Sequence, residues 1–252
     1  MLKTQGIVTK TTKYSETSLI VTIITKDFGR ISAIANNVRS GRSHMLMGLQ
    51  LFAFSEVVMY SSRSKNGLYK LSEMTVIESF AGIRDSLEKL AYAAYFAEAA
   101  NNAVAEDSPD EEILRLLLNS LFALERDLYP FPKIKTVFEW RLASASGYEP
   151  QLENCGSCGR EMEGTEAALS LSEGQVFCED CGKERAGCAR LTWGMCKAID
   201  YICRAENQKI FAFESGEKTV GYLSQISERY LGVQLDKEFS TLDYLKKVTN
   251  LE

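Results

Sequence analysis

Two cysteine pairs carry the most legible chemistry in the chain: Cys155-Gly-Ser-Cys158 and Cys178-Glu-Asp-Cys181, with 19 residues between them. A C-x2-C turn brings two sulfurs to one side of a tight backbone reversal, and a spacer of about 15–20 residues between such turns is the pattern of a four-cysteine zinc site. Glycine follows both second cysteines, at Gly159 and Gly182, where a positive φ costs no Cβ clash. Four protein sulfurs complete a tetrahedral Zn²⁺ and leave no open position for water or substrate. Cys155, Cys158, Cys178 and Cys181 are therefore expected to hold one structural zinc ion rather than a catalytic one. A dithiol redox motif would need thioredoxin-like surroundings, which neither pair has. The single histidine, His44, is remote from both pairs in sequence, which argues against a mixed cysteine/histidine site. Cys196 and Cys203 fall on one apolar helical face with Met195, Ile199 and Ile202 and read as core hydrophobes. Cys188 is assigned a structural role as well.

Other reactive constellations are missing. The chain has no G-x-x-x-x-G-K-[ST] phosphate loop, no G-x-G-x-x-G after a strand and, with one histidine, no H-E-x-x-H. A serine or cysteine nucleophile would lack a histidine partner. The expectation is a binding protein and not an enzyme. Charge points to the partner. Residues 1–80 contain ten Lys and Arg against five Asp and Glu, so they carry +5 while the whole chain carries −5. A basic segment on an acidic body is the electrostatic footprint of nucleic acid. Lys10, Lys13, Lys26, Arg30, Arg39, Arg42, Arg63 and Lys65 are the candidate DNA-binding residues, placed at strand ends and loops. Phe28, Tyr60 and Tyr69 are candidate stacking platforms or barrel core.

The elements that must position these groups follow from periodicity. Residues 5–13, 18–25, 30–35, 51–60 and 68–77 read as five strands, with Lys26-Asp-Phe-Gly29 turning the second into the third. Five strands in about 80 residues fit a small closed barrel, either an OB-fold or a generic five-stranded barrel. Residues 82–147 switch to helical spacing, with Leu87, Leu90, Ala91, Ala94 and Tyr95 on one stripe. Ser108-Pro-Asp-Glu111 reads as a capped helix start, and Tyr129-Pro-Phe-Pro132 as that helix's stop. A third helix is expected over 133–146 with Gly147 as its C-terminal cap, and a later one over 192–205. Ser215 and Ser240 are expected to cap two closing helices. The reading is thus an α+β multidomain chain: a five-stranded OB-fold β-barrel over 1–80, an α-helical domain from 81–150 and 188–252, and a four-cysteine zinc insert over 151–187 with few large apolar residues of its own. No apolar run approaches the ~20 residues of a membrane helix. Seven cysteines without a secretory signal are expected of a protein in a reducing cytosol.

The order of these parts resembles the bacterial recombination mediator family RecO. The resemblance rests on Gly6-Ile-Val-Thr-Lys10, Tyr14-Ser-Glu-Thr-Ser-Leu19, Thr25-Lys-Asp-Phe-Gly-Arg-Ile-Ser-Ala-Ile-Ala35, Phe138-Glu-Trp-Arg-Leu142, Ser146-Gly-Tyr-Glu-Pro150 and the four cysteines. It implies an OB-fold, a helical bundle and a zinc insert. It also implies binding of single- and double-stranded DNA, of the acidic C-terminal tail of single-stranded DNA-binding protein (SSB) and of RecR. ATP-independent strand annealing and help in loading RecA onto SSB-coated DNA follow from it too, with RecF and RecA engaged indirectly. The chain departs from the family in the loop after the third strand, where Asn36-Asn-Val-Arg39 replaces a more basic run, which implies lower intrinsic DNA affinity. An adaptor binding RNA or protein through the same modules, without annealing, is the alternative.

Overall fold

The computed structural model describes residues 1–38, 45–61, 67–183 and 185–249. In chain order the elements are β1 (Leu2–Lys13), β2 (Leu19–Thr25), β3 (Gly29–Ala35), β4 (Phe54–Tyr60), β5 (Tyr69–Glu78), α1 (Leu87–Ala103), α2 (Glu111–Glu125), α3 (Phe131–Ala145), β6 (Ala167–Ser170), β7 (Gln175–Phe177), α4 (Glu179–Gly182), β8 (Cys188–Leu191), α5 (Trp193–Arg204), α6 (Glu217–Leu235) and α7 (Ser240–Thr249). They divide into two compact units, Met1–Arg126 with Phe239–Glu252, and Asp127–Glu238.

The first unit is built on β1–β5, which close into a barrel in the order β1-β2-β3-β5-β4. All pairings are antiparallel except β3 with β5. This is an OB-like barrel, as the strand count predicts. Alternation explains its closure: along β3 every second residue, from Gly29 to Ala35, is buried, so Ile31 and Ala33 face inward with Val8, Val21, Ile23, Val57 and Met59. The β2–β3 turn is the expected one. Gly29 takes φ +62°, and Thr25 Oγ1 both accepts from Phe28 N and donates to the Gly29 carbonyl, which fits a three-residue hairpin loop closed by a left-handed glycine. Helix α1 starts at Ser86, whose hydroxyl accepts from Lys89 N at 3.3 Å. Helix α7 returns to pack on α1, with Phe239 edge-on to Tyr95 at 5.7 Å.

The second unit is organised around α3, in which ten consecutive residues, Ile134 to Ala143, are buried. Helix α6 packs against α3 and α5 flanks it. The three-stranded sheet β7-β6-β8 lies beside the cysteine pairs, the first tied to β7 through Gly156 N and the second following β7 directly. Leu152, Met162, Leu169, Leu171, Val176 and Phe177 are all buried there, so this segment has more apolar core than its sequence suggested.

Several sequence-based expectations shift. The helices of 81–150 and 188–252 do not cluster together: α1, α2 and α7 belong with the barrel, and α3, α5 and α6 with the cysteine segment. Asp110 caps α2, accepting from Ile113 N at 2.9 Å, where Ser108 was expected to. Its carboxylate stands at the N-terminal end of the helix dipole, a better acceptor than a hydroxyl two residues upstream. Tyr129-Pro-Phe-Pro132 does not stop α2, which ends at Glu125; Pro132 instead sits in the first turn of α3, where its missing N–H costs nothing. Gly147 does take φ +88° after α3. Gly216 precedes α6 in place of Ser215, and Ser240 is the first residue of α7.

Candidate nucleic-acid interface and metal centre

The first cysteine pair sits in a knuckle held by its own backbone. Cys155 N donates to the Arg160 carbonyl at 2.8 Å, Gly159 N to Cys155 O at 2.9 Å, and Gly156 N to Val176 O on β7 at 2.9 Å. Gly159 has φ +72°, as the turn predicts. The second pair brackets α4, whose short turn is closed by Gly182 N donating to Cys178 O at 2.8 Å. Gly182 does not have a positive φ. Its small size serves close packing instead, because a Cβ there would lie 2.8 Å from the Ala168 Cβ.

The knuckle and α4 bring all four sulfurs within 4.8 Å of one another. Cys158 Sγ and Cys178 Sγ are 3.9 Å apart, close to the roughly 3.8 Å edge of a tetrahedron with metal–sulfur bonds near 2.3 Å. The donor set and the spacing therefore fit one four-coordinate ion. Burial opposes charge on Cys155, but N–H groups of Cys158, Cys178 and Ser157 outweigh that and lower its thiol to about 6. Cys181 shares protons with Cys178 and Cys158 and is pushed up to about 12. A metal ion replaces those shared protons with a single cation. Cys196 and Cys203 are buried, as expected of core residues. Burial raises their thiols, to about 11 and about 12. Cys188 opens β8 and is half-buried.

The four described residues of the predicted basic set differ in their surroundings. Lys10 and Lys13 are exposed on β1, and among the described residues neither has a carboxylate partner. Lys26 and Arg30 are already engaged. Lys26 Nζ lies 3.5 Å from Glu111, while Arg30 pairs with Glu106 at 3.3 Å and donates through Nε to the Val104 carbonyl at 3.1 Å. The backbone follows the same route: Arg30 N donates to Ala105 O and Asp107 N to Arg30 O. A Cβ at Gly29 would meet Ser108 backbone at 2.2 Å, so glycine is what lets the acidic stretch 105–111 lie against the β2–β3 turn. Arg39, Arg42, Arg63, Lys65 and His44 lie outside the described residues.

The aromatics separate in the same way. Phe28 and Tyr69 pack against the barrel core, and Tyr69 donates to Asp107 at 3.1 Å. Tyr60 is 45 % exposed and lies directly opposite Lys70, also exposed, in the β4–β5 ladder. Cross-strand partners share a sheet face, so Tyr60 and Lys70 stand side by side on one face of the β4–β5 ladder. Sequence reasoning passed over Lys70, and only the strand register reveals it.

The barrel with its helices, and the four-thiol centre on a separate unit, together define an OB-like protein with a four-cysteine cluster able to hold a metal ion. Comparison with known proteins narrows this class. The families described as Recombination protein O N terminal and Recombination protein O C terminal match residues 1–80 and 84–243. The DNA repair protein RecO of Acetivibrio thermocellus is 35 % identical over 252 residues, covering 100 % of this chain and 98 % of the relative. Those of Alkaliphilus metalliredigens and Caldicellulosiruptor bescii are each 28 % identical, covering 98 % of this chain and 100 % and 98 % of the relatives. The chain belongs to the RecO family of bacterial DNA repair proteins. Among the described residues no helix is long and apolar enough to cross a membrane.

Proposed function

We propose that this protein is a non-enzymatic recombination mediator that acts in the bacterial cytosol. It binds single- and double-stranded DNA on its barrel, engages the SSB tail, and anneals complementary strands without ATP. With RecR it promotes RecA loading onto SSB-coated DNA. The observation that carries this reading is the two exposed β1 lysines, Lys10 and Lys13, neither with a carboxylate partner among the described residues, on a chain of the RecO family. Cations there lower the repulsion between two phosphate backbones, so complementary bases can meet. The zinc ion we assign to Cys155, Cys158, Cys178 and Cys181 is structural: it ties the knuckle to α4 and presents no open coordination position.

The test is annealing of complementary oligonucleotides coated with cognate SSB, in the absence of ATP. Acceleration that fades with added salt supports the mediator and its electrostatics. Measurable DNA binding with no acceleration, alone or with RecR, would leave the adaptor reading in its place.

The acidic stretch makes a second expected result. Glu106 and Glu111 hold the cations that the sequence offered to DNA. The double substitution Glu106→Gln/Glu111→Gln should release Lys26, and part of Arg30, to phosphate. Single-strand affinity should rise, and the slope of log K against log salt should steepen by roughly 0.7 for each phosphate gained. An unchanged slope in fluorescence anisotropy titrations would mean that Lys26 and Arg30 lie off the DNA path.

A further inference from the structure

A cleft of about 480 Å³ opens in the first unit between strands β1 and β2 and helix α1. That volume lies in the range of small-molecule sites, about 300–1,000 Å³. Its walls are mixed. Lys10, Thr11 and Thr22 come from the barrel, Asn102 from α1, and Leu51 and Phe52 supply an apolar side. Lys10 and Thr22 are direct partners across the β1–β2 ladder, so ammonium and hydroxyl stand on one sheet face. A β-bulge between Val8 and Lys10 re-aims the strand at this point. Thr9 is buried beneath it and donates to Asn101 Oδ1 at 2.8 Å, which locks α1 onto the bulge.

The charges around the cleft leave one vacancy for an anion. Glu98 also lines it, but its carboxylate accepts from Ser240 Oγ at 3.1 Å, from Thr241 N at 2.9 Å and from Thr241 Oγ1. Its charge is thus held by the N-terminus of α7. Arg30 is turned to Glu106 and the Val104 carbonyl. Lys10 is left as the cation without an anion. Phe52 on the apolar side has φ +70°, an outlier for a bulky residue, held by its N–H donating to Val8 O at 2.8 Å. Such strained backbone persists where the surrounding structure over-determines it, often beside a ligand.

We infer that this cleft receives one unpaired, phosphate-bearing nucleotide of a bound single strand, with its phosphate at Lys10 and its base among Thr11, Thr22 and Asn102. The inference rests on the DNA-binding reading above and deepens it, because it places a strand at one position on the barrel. A recess of this size takes a base that has left its stack, whereas a base-paired duplex presents only its backbone to Lys10.

The test compares the full-length wild-type protein with Asn102→Trp, which fills the cleft without changing charge, and with Lys10→Gln, using labelled single-stranded oligo-dT and a duplex of equal length. Asn102→Trp should weaken single-strand binding about tenfold, the loss of one base contact, and leave duplex binding unchanged. Lys10→Gln should weaken both and lower the single-strand salt slope by roughly 0.7. Photo-crosslinking of 4-thiothymidine-containing oligonucleotide to the wild-type protein, read by mass spectrometry, should mark peptides spanning 9–22, 51–52 or 94–102, and does not depend on either variant folding. Wild-type affinity in Asn102→Trp, or crosslinks confined to other peptides, would overturn the cleft while leaving DNA binding in place. No binding of either DNA by the wild-type protein would overturn both.

Discussion

Cys178→Ser will unfold the cysteine-bearing unit at temperatures where the barrel unit still holds. Cys178 is 4 % exposed; its N–H points at Cys155 Sγ at 3.4 Å and its own sulfur lies 3.9 Å from Cys158. It is thus the residue through which the knuckle and α4 meet. A hydroxyl in its place is a poor ligand for a soft, thiolate-bound ion. Structural zinc contributes on the order of 10 kcal/mol to the folding of small modules, more than the whole stability of many domains. The sheet β7-β6-β8 has only eleven residues in its strands, and strands this short need support at one end. The barrel has its own closed hydrogen-bonding and core. A two-step thermal melt should therefore appear, with the first step absent from the zinc-loaded wild type and reproduced there by chelator. Because the ligands must lose their protons to bind metal, chelation should also become easier as pH falls. A single cooperative melt at the wild-type temperature would rule out a structural metal.

What the sequence made legible was the chemistry whose geometry is local. A C-x2-C turn is complete within four residues, so Cys155 with Cys158, and Cys178 with Cys181, could be paired on spacing alone. Strand alternation is local in the same sense, and β2 and β3 emerged nearly residue for residue. The engagement of Lys26 and Arg30 was not legible. Their partners lie in the acidic stretch that follows α1, and no period or motif in the barrel announces that the stretch will come back to the β2–β3 turn. The one trace was Gly29, chosen for its φ when it also clears room for Ser108. Lys70 was missed for a related reason, since its pairing with Tyr60 depends on a register between two strands.

Helix α3 shows a different limit. An amphipathic stripe tells which face of a helix is buried, but α3 is buried on every side over Ile134–Ala143, and its polar residues do not mark a solvent face. Lys135, Thr136 and Glu139 find partners inside the fold instead, as does Arg141 through Nη1, while Trp140 Nε1 and Arg141 Nε have no hydrogen-bond partner among the described residues. Arg141 Nη1 donates to the Ile202 carbonyl at 3.4 Å and to that of Cys203, closing the C-terminus of α5. Trp140 packs on Tyr230 at 4.9 Å between ring centres, and the Tyr230 hydroxyl donates to Tyr148 O. Burial raises that hydroxyl's pKa beyond the ordinary tyrosine range, so it stays a donor at any physiological pH.

Lys135→Met is expected to be the most costly substitution in this unit away from the cysteines. Lys135 Nζ sits 2.9 Å from Glu139 Oε1 and 3.1 Å from Glu228 Oε2, with side-chain exposures of 4 % for the lysine, 0 % for Glu139 and 17 % for Glu228. It also donates to Ser224 O at 3.2 Å, and Ser227 Oγ donates to Glu139 Oε2 at 2.6 Å. The ion group thus staples α3 to α6 from the inside. Methionine keeps the volume but leaves two carboxylates facing each other without a cation. Breaking a buried pair in this way costs about 3–5 kcal/mol. With the cation gone, desolvation and like charge raise the carboxyl pKa of Glu139 in the folded state. A raised folded pKa means that the folded state takes up a proton, so the deficit should shrink as pH falls toward the carboxylate range and be full at neutral pH. Lys135→Met/Glu139→Gln removes one of the two orphaned charges, and Ser227 can still donate to the amide oxygen; it should recover much of the loss at pH 7. Urea melts of the two variants at neutral and mildly acid pH separate this account from simple loss of packing. A packing defect would be the same at both pH values, and the second substitution would not relieve it.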